Sequence, residues 1–369
     1  MLKNTKLHSS HLSLSAKMGG FAGYDMPLYY DLGVKQEHEW VRGDGQAGIF
    51  DVSHMGQIIL EGSGCAEFLE KITPSSFSLK KHGRAQYTVL TNKTGGIVDD
   101  LIITRLTDDK FFIVLNAGCK DKDIAWIKSH LPDGISMTYM EEYSLIALQG
   151  DASERVISDL WALDLSKLPY MFIKTDVSLG DIKVSISRLG YTGEDGFEIS
   201  VHNDHALNVW EALVGHGQVK PIGLAARDSL RLDMGYCLYG HDIDDKTSPV
   251  EGDLTWVMGK KNQSFIGADI VLPHKVEASK KRVGLRLMGK GIAREGSEIR
   301  SPDDDVIGTL TSGGFSPTLG AAIGQGYVPM EYAVAGTKVF VNVRGRNIDA
   351  EIADMPFIAA KTKSMKIKS

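Results

Sequence analysis

The chain changes character near residue 275, and this change constrains its fold more than any other feature of the sequence. Before this point, short strand-like runs alternate with runs that show helical spacing of apolar residues. After it, only short strand-like segments follow, separated by Gly and Pro, which is typical of a small barrel or sandwich. We therefore predict an α+β part over residues 1–275 and a β-barrel-like domain over residues 276–369. The charged stretch 274–281 is the expected linker.

The individual elements follow from the same periodicities. Apolar spacing predicts helices at 65–72, 120–131, 152–163, 205–213 and 222–232. Alternation predicts strands at 56–60, 87–90, 97–106, 111–115, 144–148, 183–189, 197–201, 283–287, 306–311, 324–328, 338–343 and 347–352. The first forty residues, in which Gly and Pro punctuate aromatic positions, are expected to be irregular.

Composition and missing motifs exclude several classes of function. Forty-one basic and 47 acidic residues give a net charge of −6, which does not favour a nucleic-acid partner. The sequence contains no GxGxxG, GxxxxGK[ST], HExxH, GxSxG or CxxC motif, so neither a nucleotide cradle nor a bound metal is expected.

The ends and the longest uncharged run bear on localisation. The N-terminus lacks the apolar core of a signal peptide, and the charge-free run 306–330 contains glycines and prolines rather than a membrane span. We therefore expect a cytoplasmic protein without membrane contact. The basic tail 361–369 is expected to fray.

Two adjacent carboxylates interrupt the apolar strand predicted at 97–106. Strand alternation sends Asp99 and Asp100 to opposite faces, and Asp99 would share its face with Ile97 and Leu101. Burying an unpaired carboxylate is costly, so Asp99 must be paired, hydrogen-bonded or functional. Spacing alone leaves open a solvated face, an arginine partner and a functional role.

A glycine-rich segment at 189–198 is a second candidate site. Three glycines within seven residues allow close approach of the backbone, and Tyr191 offers a flat surface for stacking. Glu198 then enters a strand, where its carboxylate could accept two parallel hydrogen bonds from a planar heterocycle with adjacent N–H and NH₂ groups. A tight hairpin with a surface acidic cluster is the alternative.

Three single residues also qualify as candidates. Arg227 lies among small residues of a predicted helix, which would allow it to be drawn inside as a bidentate anchor, although an ion pair with a nearby aspartate explains it equally well. Asn116 follows an apolar strand, as either a ligand contact or a turn residue. Trp256, beside Leu254 and Val257, is interpreted as core.

Taken together and in order, these segments resemble the aminomethyltransferase (T-protein) family of the glycine cleavage system. The resemblance is carried by GGFAGYDMPLYY (19–30), IFDVSHMGQI (49–58), TNKTGGIVDDLI (91–102), LNAGCKDKDIAWI (115–127), GYTGEDGFEIS (190–200), GLAARDSLRLDMGYCLYGHD (223–242) and TSGGFSPTLGAAIGQGYVP (311–329). These ordered matches run nearly from end to end of the chain.

The resemblance implies three subdomains around a central hole. Two of them are intertwined α+β units, the second over roughly 50–140, and the third is the C-terminal barrel. It also implies that tetrahydrofolate binds in the hole as co-substrate. Lipoylated H-protein would then supply a methylamine-loaded arm, and the products would be 5,10-methylenetetrahydrofolate, ammonia and the dihydrolipoyl arm. A monomer is the default expectation.

The resemblance assigns roles to individual residues. Asp99 matches the essential aspartate of the family, and its carboxylate would stabilise the positive charge that builds on the methylene carbon as the amine leaves. Glu198 and Arg227 match residues that hold the pterin ring. Four further residues match positions that line the folate cavity: Tyr191, Asn116, Tyr87 and Met55. The chain departs from some relatives by having lysines at 361 and 363, where they carry an aromatic residue.

Two related functions are the alternatives. A non-catalytic folate-binding relative involved in iron–sulfur maintenance would carry a Lys-Gly-Cys-aromatic-x-Gly-Gln-Glu signature, which this sequence lacks. The folate domain of a sarcosine or dimethylglycine dehydrogenase is normally joined to a flavin domain with a GxGxxG motif, which is also missing. Separately, Lys80, Lys81 and Arg84 either attract an acidic partner or form a solvated loop.

Overall fold

Two β-sheets and a closed β-barrel organise the protein in our computed structural model, which describes residues 1–363. The end of the predicted basic tail, residues 364–369, lies outside the described residues. The helices are α1 (His8–Ser13), α2 (Gly33–Arg42), α3 (Cys65–Ile72), α4 (Lys120–His130), α5 (Ser153–Trp161), α6 (Asn203–Val214), α7 (Leu224–Asp233) and α8 (Ala268–Glu277).

The strands account for most of the remaining regular structure. They are β1 (Lys17–Phe21), β2 (Tyr24–Tyr29), β3 (Ala47–Asp51), β4 (Gly56–Glu61), β5 (Ala85–Thr91), β6 (Ile97–Arg105), β7 (Lys110–Leu115), β8 (Ser136–Tyr139), β9 (Tyr143–Gln149), β10 (Phe172–Leu179), β11 (Ile182–Arg188), β12 (Gly196–His202), β13 (Val219–Pro221), β14 (Lys280–Leu287), β15 (Glu298–Arg300), β16 (Val306–Ser316), β17 (Ala321–Pro329), β18 (Lys338–Val343) and β19 (Arg346–Ala353).

The first sheet has six strands in the order β10-β11-β12-β9-β3-β13, of which only β13 runs parallel to its neighbour. One of its faces packs against residues of α5 and α6 in a core that contains Phe197, Val156 and the fully buried Trp210. Burial of these large apolar side chains supplies the main driving force for this packing. The arrangement leaves β12 near the middle of the sheet, where it can place a side chain deep inside the molecule.

The second sheet is entirely antiparallel, with five strands in the order β5-β6-β7-β4-β8. Its core joins strand residues to apolar side chains of α3 and α4, including Phe68, Leu69 and Ile127. The sheet falls within the range of roughly 50–140 expected for an intertwined second subdomain, and we propose that subdomain on this basis.

The barrel closes in the order β14-β17-β16-β15-β18-β19, which confirms the prediction of a β-barrel-like C-terminal domain. Its interior is filled by alternating apolar residues such as Leu285, Ile299 and Val341. Closure removes the free strand edges that an open sheet of this size would expose.

Two sequence predictions about organisation are wrong. The first forty residues are not irregular, because β1 and β2 form a hairpin between α1 and α2. These elements are too short to show a periodic pattern. The predicted linker at 274–281 is also largely structured, since α8 extends to Glu277 and β14 begins at Lys280. The sequence patterns also did not reveal β3, β8, β10, β13 and β15. A separate finding is that no helix within the described residues is long and apolar enough to cross a membrane.

Candidate active site

A cavity of about 1510 Å³ lies where the two sheets and the barrel meet. The first sheet and α7 contribute Glu198 and Arg227 to its wall, and the second sheet contributes Tyr87 and the end of β7. The barrel adds residues 311–313. Side chains from distant parts of the sequence therefore converge on a single space large enough for a substantial ligand.

Six of the seven predicted site residues line this cavity. They are Glu198, Arg227, Tyr191, Asn116, Tyr87 and Met55. The seventh, Asp99, does not line it. Of the basic residues noted in the sequence, Lys80 and Arg84 lie on the cavity wall, whereas Lys81 is not among its lining residues.

Arg227 faces the cavity from α7 without a carboxylate partner among the described residues. The nearby aspartates are engaged elsewhere, Asp228 with Arg231 at 2.8 Å and Asp233 with Arg42 at 3.3 Å. The Arg227 Nη1 atom is sealed from solvent and has no hydrogen-bond partner within residues 1–363. Burial lowers the pKa of this guanidinium and Glu198 opposes that effect. Ion pairing, the alternative explanation, is therefore not what the structure shows.

Glu198 on β12 is the complementary group. It is only 7% exposed, and no N–H or O–H group of the described residues donates a hydrogen bond to it. Burial raises the pKa of this carboxyl, and the charge of Arg227 counteracts the rise. A carboxylate and a guanidinium thus both lack protein partners in the same cavity. A ligand edge with both donors and acceptors would satisfy them.

The glycine-rich segment shapes the wall around Tyr191. The Tyr191 hydroxyl donates to the Cys237 carbonyl, and its ring packs 5.6 Å from that of Tyr236 and 5.0 Å from the guanidinium of Arg227. Gly193 has a φ of +78°, and a Cβ there would collide with the Met234 side chain. The missing Cβ of Gly193 therefore makes room for the Met234 side chain of the protein itself. The contact with the Tyr191 ring holds the Arg227 guanidinium in position.

The structure does not place Asp99 on the cavity wall. It is Asp100 that lines the cavity, whereas Asp99 is 0% exposed. The face of β6 that carries Asp99 also carries Leu101 and Ile103, which pack in the core with α4. The pairing of β6 with β5 skips Val98, because Asp99 lies opposite Leu90 and Ile97 lies opposite Thr91. Strict alternation counted from Ile97 therefore does not predict which face of the strand carries Asp99.

Asp100 occupies the position at the wall that had been expected for Asp99. Its carboxylate accepts a hydrogen bond from Asn116 Nδ2 at 2.8 Å. Burial and the adjacent charge of Asp99 raise the pKa of Asp100 to about 7, although the polar side chains of Tyr87 and Asn116 oppose the rise. A carboxyl group with this pKa can stabilise positive charge or exchange a proton near neutral pH.

Comparison with known proteins now decides the family. Residues 7–262 match the family described as GCVT N-terminal domain, and residues 280–358 match the glycine cleavage T-protein C-terminal barrel domain. The aminomethyltransferase of Chloroherpeton thalassium is 40% identical over 97% of this chain and 99% of its own length. The mitochondrial aminomethyltransferase of Flaveria pringlei is 39% identical over 98% of this chain and 90% of its own.

The chain belongs to the aminomethyltransferase family. A crystal structure of glycine cleavage system aminomethyltransferase T from Bartonella henselae superposes with a TM-score of 0.92 and 38% identity, covering 98% of this chain and 99% of that one. The predicted family, fold and type of enzyme are thereby confirmed. These full-length matches favour an aminomethyltransferase over both alternative functions considered from the sequence.

Several aromatic residues of the aminomethyltransferase cavity escaped prediction. Trp256 was interpreted as core, but it is 66% exposed at the cavity and stacks on Tyr87 with 5.4 Å between ring centroids. Tyr170, Tyr236 and Tyr239 also line the wall. Their sequence neighbourhoods carry no pattern that separates a cavity aromatic from a core aromatic, so only the tertiary arrangement reveals them.

Proposed function

We propose that this enzyme transfers the methylene carbon of an aminomethyl group, carried on the dihydrolipoyl arm of H-protein, to tetrahydrofolate. The products are 5,10-methylenetetrahydrofolate, ammonia and the dihydrolipoyl arm. The observation that carries the proposal is that unpartnered Glu198 and Arg227 share a cavity with Asp100. Because about 1510 Å³ exceeds the ~300–1,000 Å³ usual for one small ligand, the cavity has room for two substrates.

The cavity residues fit a reduced pterin. Adjacent N–H and NH₂ donors of that ring match the two oxygens of Glu198, and its carbonyl oxygen matches the unpartnered Nη1 of Arg227. Met55 and the rings of Tyr87 and Tyr191 supply apolar surface on the same wall. We assign these residues, together with Asn116, to binding and orientation.

Asp100 is the residue we assign to the chemistry. Tetrahydrofolate supplies the two amine nitrogens that bond to the methylene carbon, and their two protons leave with the departing amine and the lipoyl sulfur. The fixed Asp100 carboxylate faces the space where positive charge develops on that carbon, and it stabilises this charge in a water-poor site. It also accepts one of the departing protons, for which its pKa of about 7 is well suited.

The overall reaction is tested by ammonia release from H-protein loaded with the aminomethyl group. We expect release that depends on added tetrahydrofolate and yields methylenetetrahydrofolate in equal amount. A protein that binds folate but releases no ammonia above the folate-free control would refute the transferase and favour a binding protein.

Replacing either unpartnered charge is expected to weaken folate binding. A charge-assisted hydrogen bond contributes about 1.5–3 kcal/mol, so Glu198→Gln and Arg227→Met should each raise the tetrahydrofolate Kd by roughly 10- to 100-fold. Isothermal titration calorimetry without H-protein measures this directly. Glu211→Gln, on the exposed face of α6, is the matched control and should leave the Kd unchanged. A variant with the parental Kd would remove its residue from the folate site.

The pH dependence of turnover should report Asp100. Its carboxylate form is the active one, so kcat should be on a plateau above about pH 8 and fall about tenfold per unit below its pKa of about 7. We expect this acid limb in kcat measured with saturating loaded H-protein and tetrahydrofolate. A profile that stays flat down to about pH 5.5 would contradict the assignment.

A further inference from the structure

A second pair of carboxylates lies behind the cavity wall and has no part in the mechanism above. Asp99 on β6 and Asp123 in the first turn of α4 are both 0% exposed, and neither lines the cavity. Two buried carboxylates in contact are expensive unless something removes a charge. The burial of Asp99 and Asp123 must therefore be offset by an interaction within the protein.

The hydrogen-bond partners of Asp99 and Asp123 identify this interaction. Asp99 Oδ1 accepts from Asn116 Nδ2 at 3.1 Å, but Asp99 Oδ2 and both carboxylate oxygens of Asp123 receive no N–H or O–H donor from residues 1–363. The two carboxyl side chains lie against each other, so these donorless oxygens are satisfied only if one carboxyl group carries a proton and donates it to the other. On this geometry, one proton is held between Asp123 and Asp99.

The hydrogen bonds identify Asp123 as the protonated partner, because Asp99 accepts from Asn116 whereas neither oxygen of Asp123 has a donor among the described residues. Burial, followed by its contact with Asp99, raises the pKa of Asp123 to about 10. The ammonium group of Lys122 donates to the Tyr239 hydroxyl at 3.0 Å and to the Val98 carbonyl. Burial raises the pKa of both carboxyl groups, and the charge of Lys122 opposes the rise in each. The other titratable groups acting on the pair are Asp100, Cys119 and Tyr239.

Asn116 connects this hidden pair to the cavity. Its two amide hydrogens face three acceptors, namely Asp99 Oδ1 at 3.1 Å, Asp100 Oδ1 at 2.8 Å and the Asp100 carbonyl at 2.9 Å. The orientation of the amide therefore depends on Asp99 presenting its Oδ1 in a fixed position. A proton on the far side of Asp99, at Oδ2, supplies that constraint.

We propose that Asp123 is a positioning residue for the transfer reaction: the proton that it shares with Asp99 fixes Asp99 and, through Asn116, orients the Asp100 carboxylate. The proposal rests on the proposed role of Asp100. Asp123 acts entirely from behind the wall and touches neither substrate. The shared proton also limits the charge of the Asp99–Asp123 pair to −1. If both carboxyl groups were ionised, their combined charge would oppose the ionisation of Asp100.

Two replacements of Asp123 separate positioning from bulk packing. In Asp123→Asn the side-chain amide still donates to Asp99 Oδ2, so we expect kcat within about twofold of the parent and an unshifted acid limb. In Asp123→Leu no donor to Asp99 Oδ2 remains among the described residues, so Asp99 takes up a proton of its own and becomes a weaker acceptor for Asn116. We expect kcat to fall about tenfold or more, with the tetrahydrofolate Kd within about twofold.

The pH profile gives a readout that a purely structural role would not change. Asp99 raises the pKa of Asp100, so loss of its charge in Asp123→Leu should move the acid limb to lower pH. Asp121→Leu, at an exposed position in the same turn of α4, is the control and should leave both kcat and the limb unchanged. Equal kcat and equal limbs in Asp123→Asn and Asp123→Leu would overturn the proposal.

Infrared difference spectroscopy tests the shared proton without turnover. At about pH 8.5, between the pKa of about 7 for Asp100 and about 10 for Asp123, only the latter of the two should be protonated. We expect a carboxylic-acid C=O band that shifts on ¹³C-aspartate labelling and disappears in Asp123→Asn. Absence of this band in the parent would refute the shared proton. If Asp100→Asn proved fully active while the band was present, the proposed role of Asp100 would fail instead.

Discussion

Asp100→Asn is expected to reduce kcat by about 10²–10³-fold, whereas the same replacement at Asp99 should cost only a few-fold. The asparagine at position 100 keeps the size of the side chain and an oxygen that accepts from Asn116 Nδ2. It removes the negative charge that stabilises the developing cation and the site that accepts a proton. Positioning of the substrates remains, so residual turnover should persist.

The neighbouring replacement is the matched control because it makes the same chemical change one residue away. In Asp99→Asn, the new side chain can accept from Asn116 through its oxygen and donate to Asp123 through its nitrogen, so the network survives. Loss of the Asp99 charge should also lower the pKa of Asp100 and shift the acid limb to lower pH.

Single-turnover ammonia release and tetrahydrofolate titration, measured on both variants, separate catalysis from binding. The Kd should stay within about twofold of the parent in each. A larger loss of kcat in Asp99→Asn than in Asp100→Asn would restore Asp99 as the reacting carboxylate. Equal loss of binding and turnover in Asp100→Asn would indicate a structural role instead.

The choice between Asp99 and Asp100 shows what a sequence can predict about such a site. Strand alternation correctly separates two adjacent side chains onto opposite faces, but it does not reveal which face meets a cavity. Spacing left the role of Asp99 open, and the resemblance to the family then assigned the essential role to this first aspartate of the pair, which lies on the core side of β6. On that side of β6, the contact with Asp123 offsets the free-energy cost of burying Asp99. Asp123 lies 24 positions away in the sequence.

Glu198 and Arg227 were predictable because their chemistry stands out from their local setting. A carboxylate entering a buried strand and an arginine among small helical residues each require a partner, whatever the surrounding fold. Trp256 offered no such signal, since an aromatic beside apolar residues is typical of a core. Its exposure depends on the position of its loop beside β5, which is a tertiary property.

The overall architecture was predictable for a similar reason. The strands of the barrel and the helices of the α+β part carry their own periodicity, which survives in short windows of sequence. Strands of only three residues, such as β13 and β15, are too short to carry such a periodicity. A hairpin such as β1–β2, whose glycines and proline mimic a loop, does not carry it either.

Asp242→Ala is expected to lower the free energy of unfolding by about 3–5 kcal/mol, because it leaves a buried guanidinium without its main counter-charge. Arg231 on α7 donates to Asp242 Oδ2 at 2.7 Å and to Ser312 Oγ of the barrel at 2.9 Å. Asp242 also accepts from Thr311 Oγ1 at 2.6 Å. Arg231, Asp242 and Ser312 are almost fully buried, and the network joins α7 to β16.

The cause of this loss can be isolated with a double replacement. Arg231→Met combined with Asp242→Leu removes both charges and fills similar volume, so it should recover most of the stability lost in Asp242→Ala. Urea unfolding followed by circular dichroism gives both values. If the double variant were as unstable as the single one, lost packing rather than an unpaired charge would be responsible.

The same replacement should also affect the site, because Arg227 precedes Arg231 by one helical turn and lies on the same side of α7. Asp242→Ala should therefore raise the tetrahydrofolate Kd although Asp242 is not among the cavity-lining residues. The double variant should bring the Kd back towards the parental value along with the stability. Recovery of stability without recovery of binding would mean that Arg231, which itself lines the cavity, contributes to folate binding beyond its effect on the stability of α7.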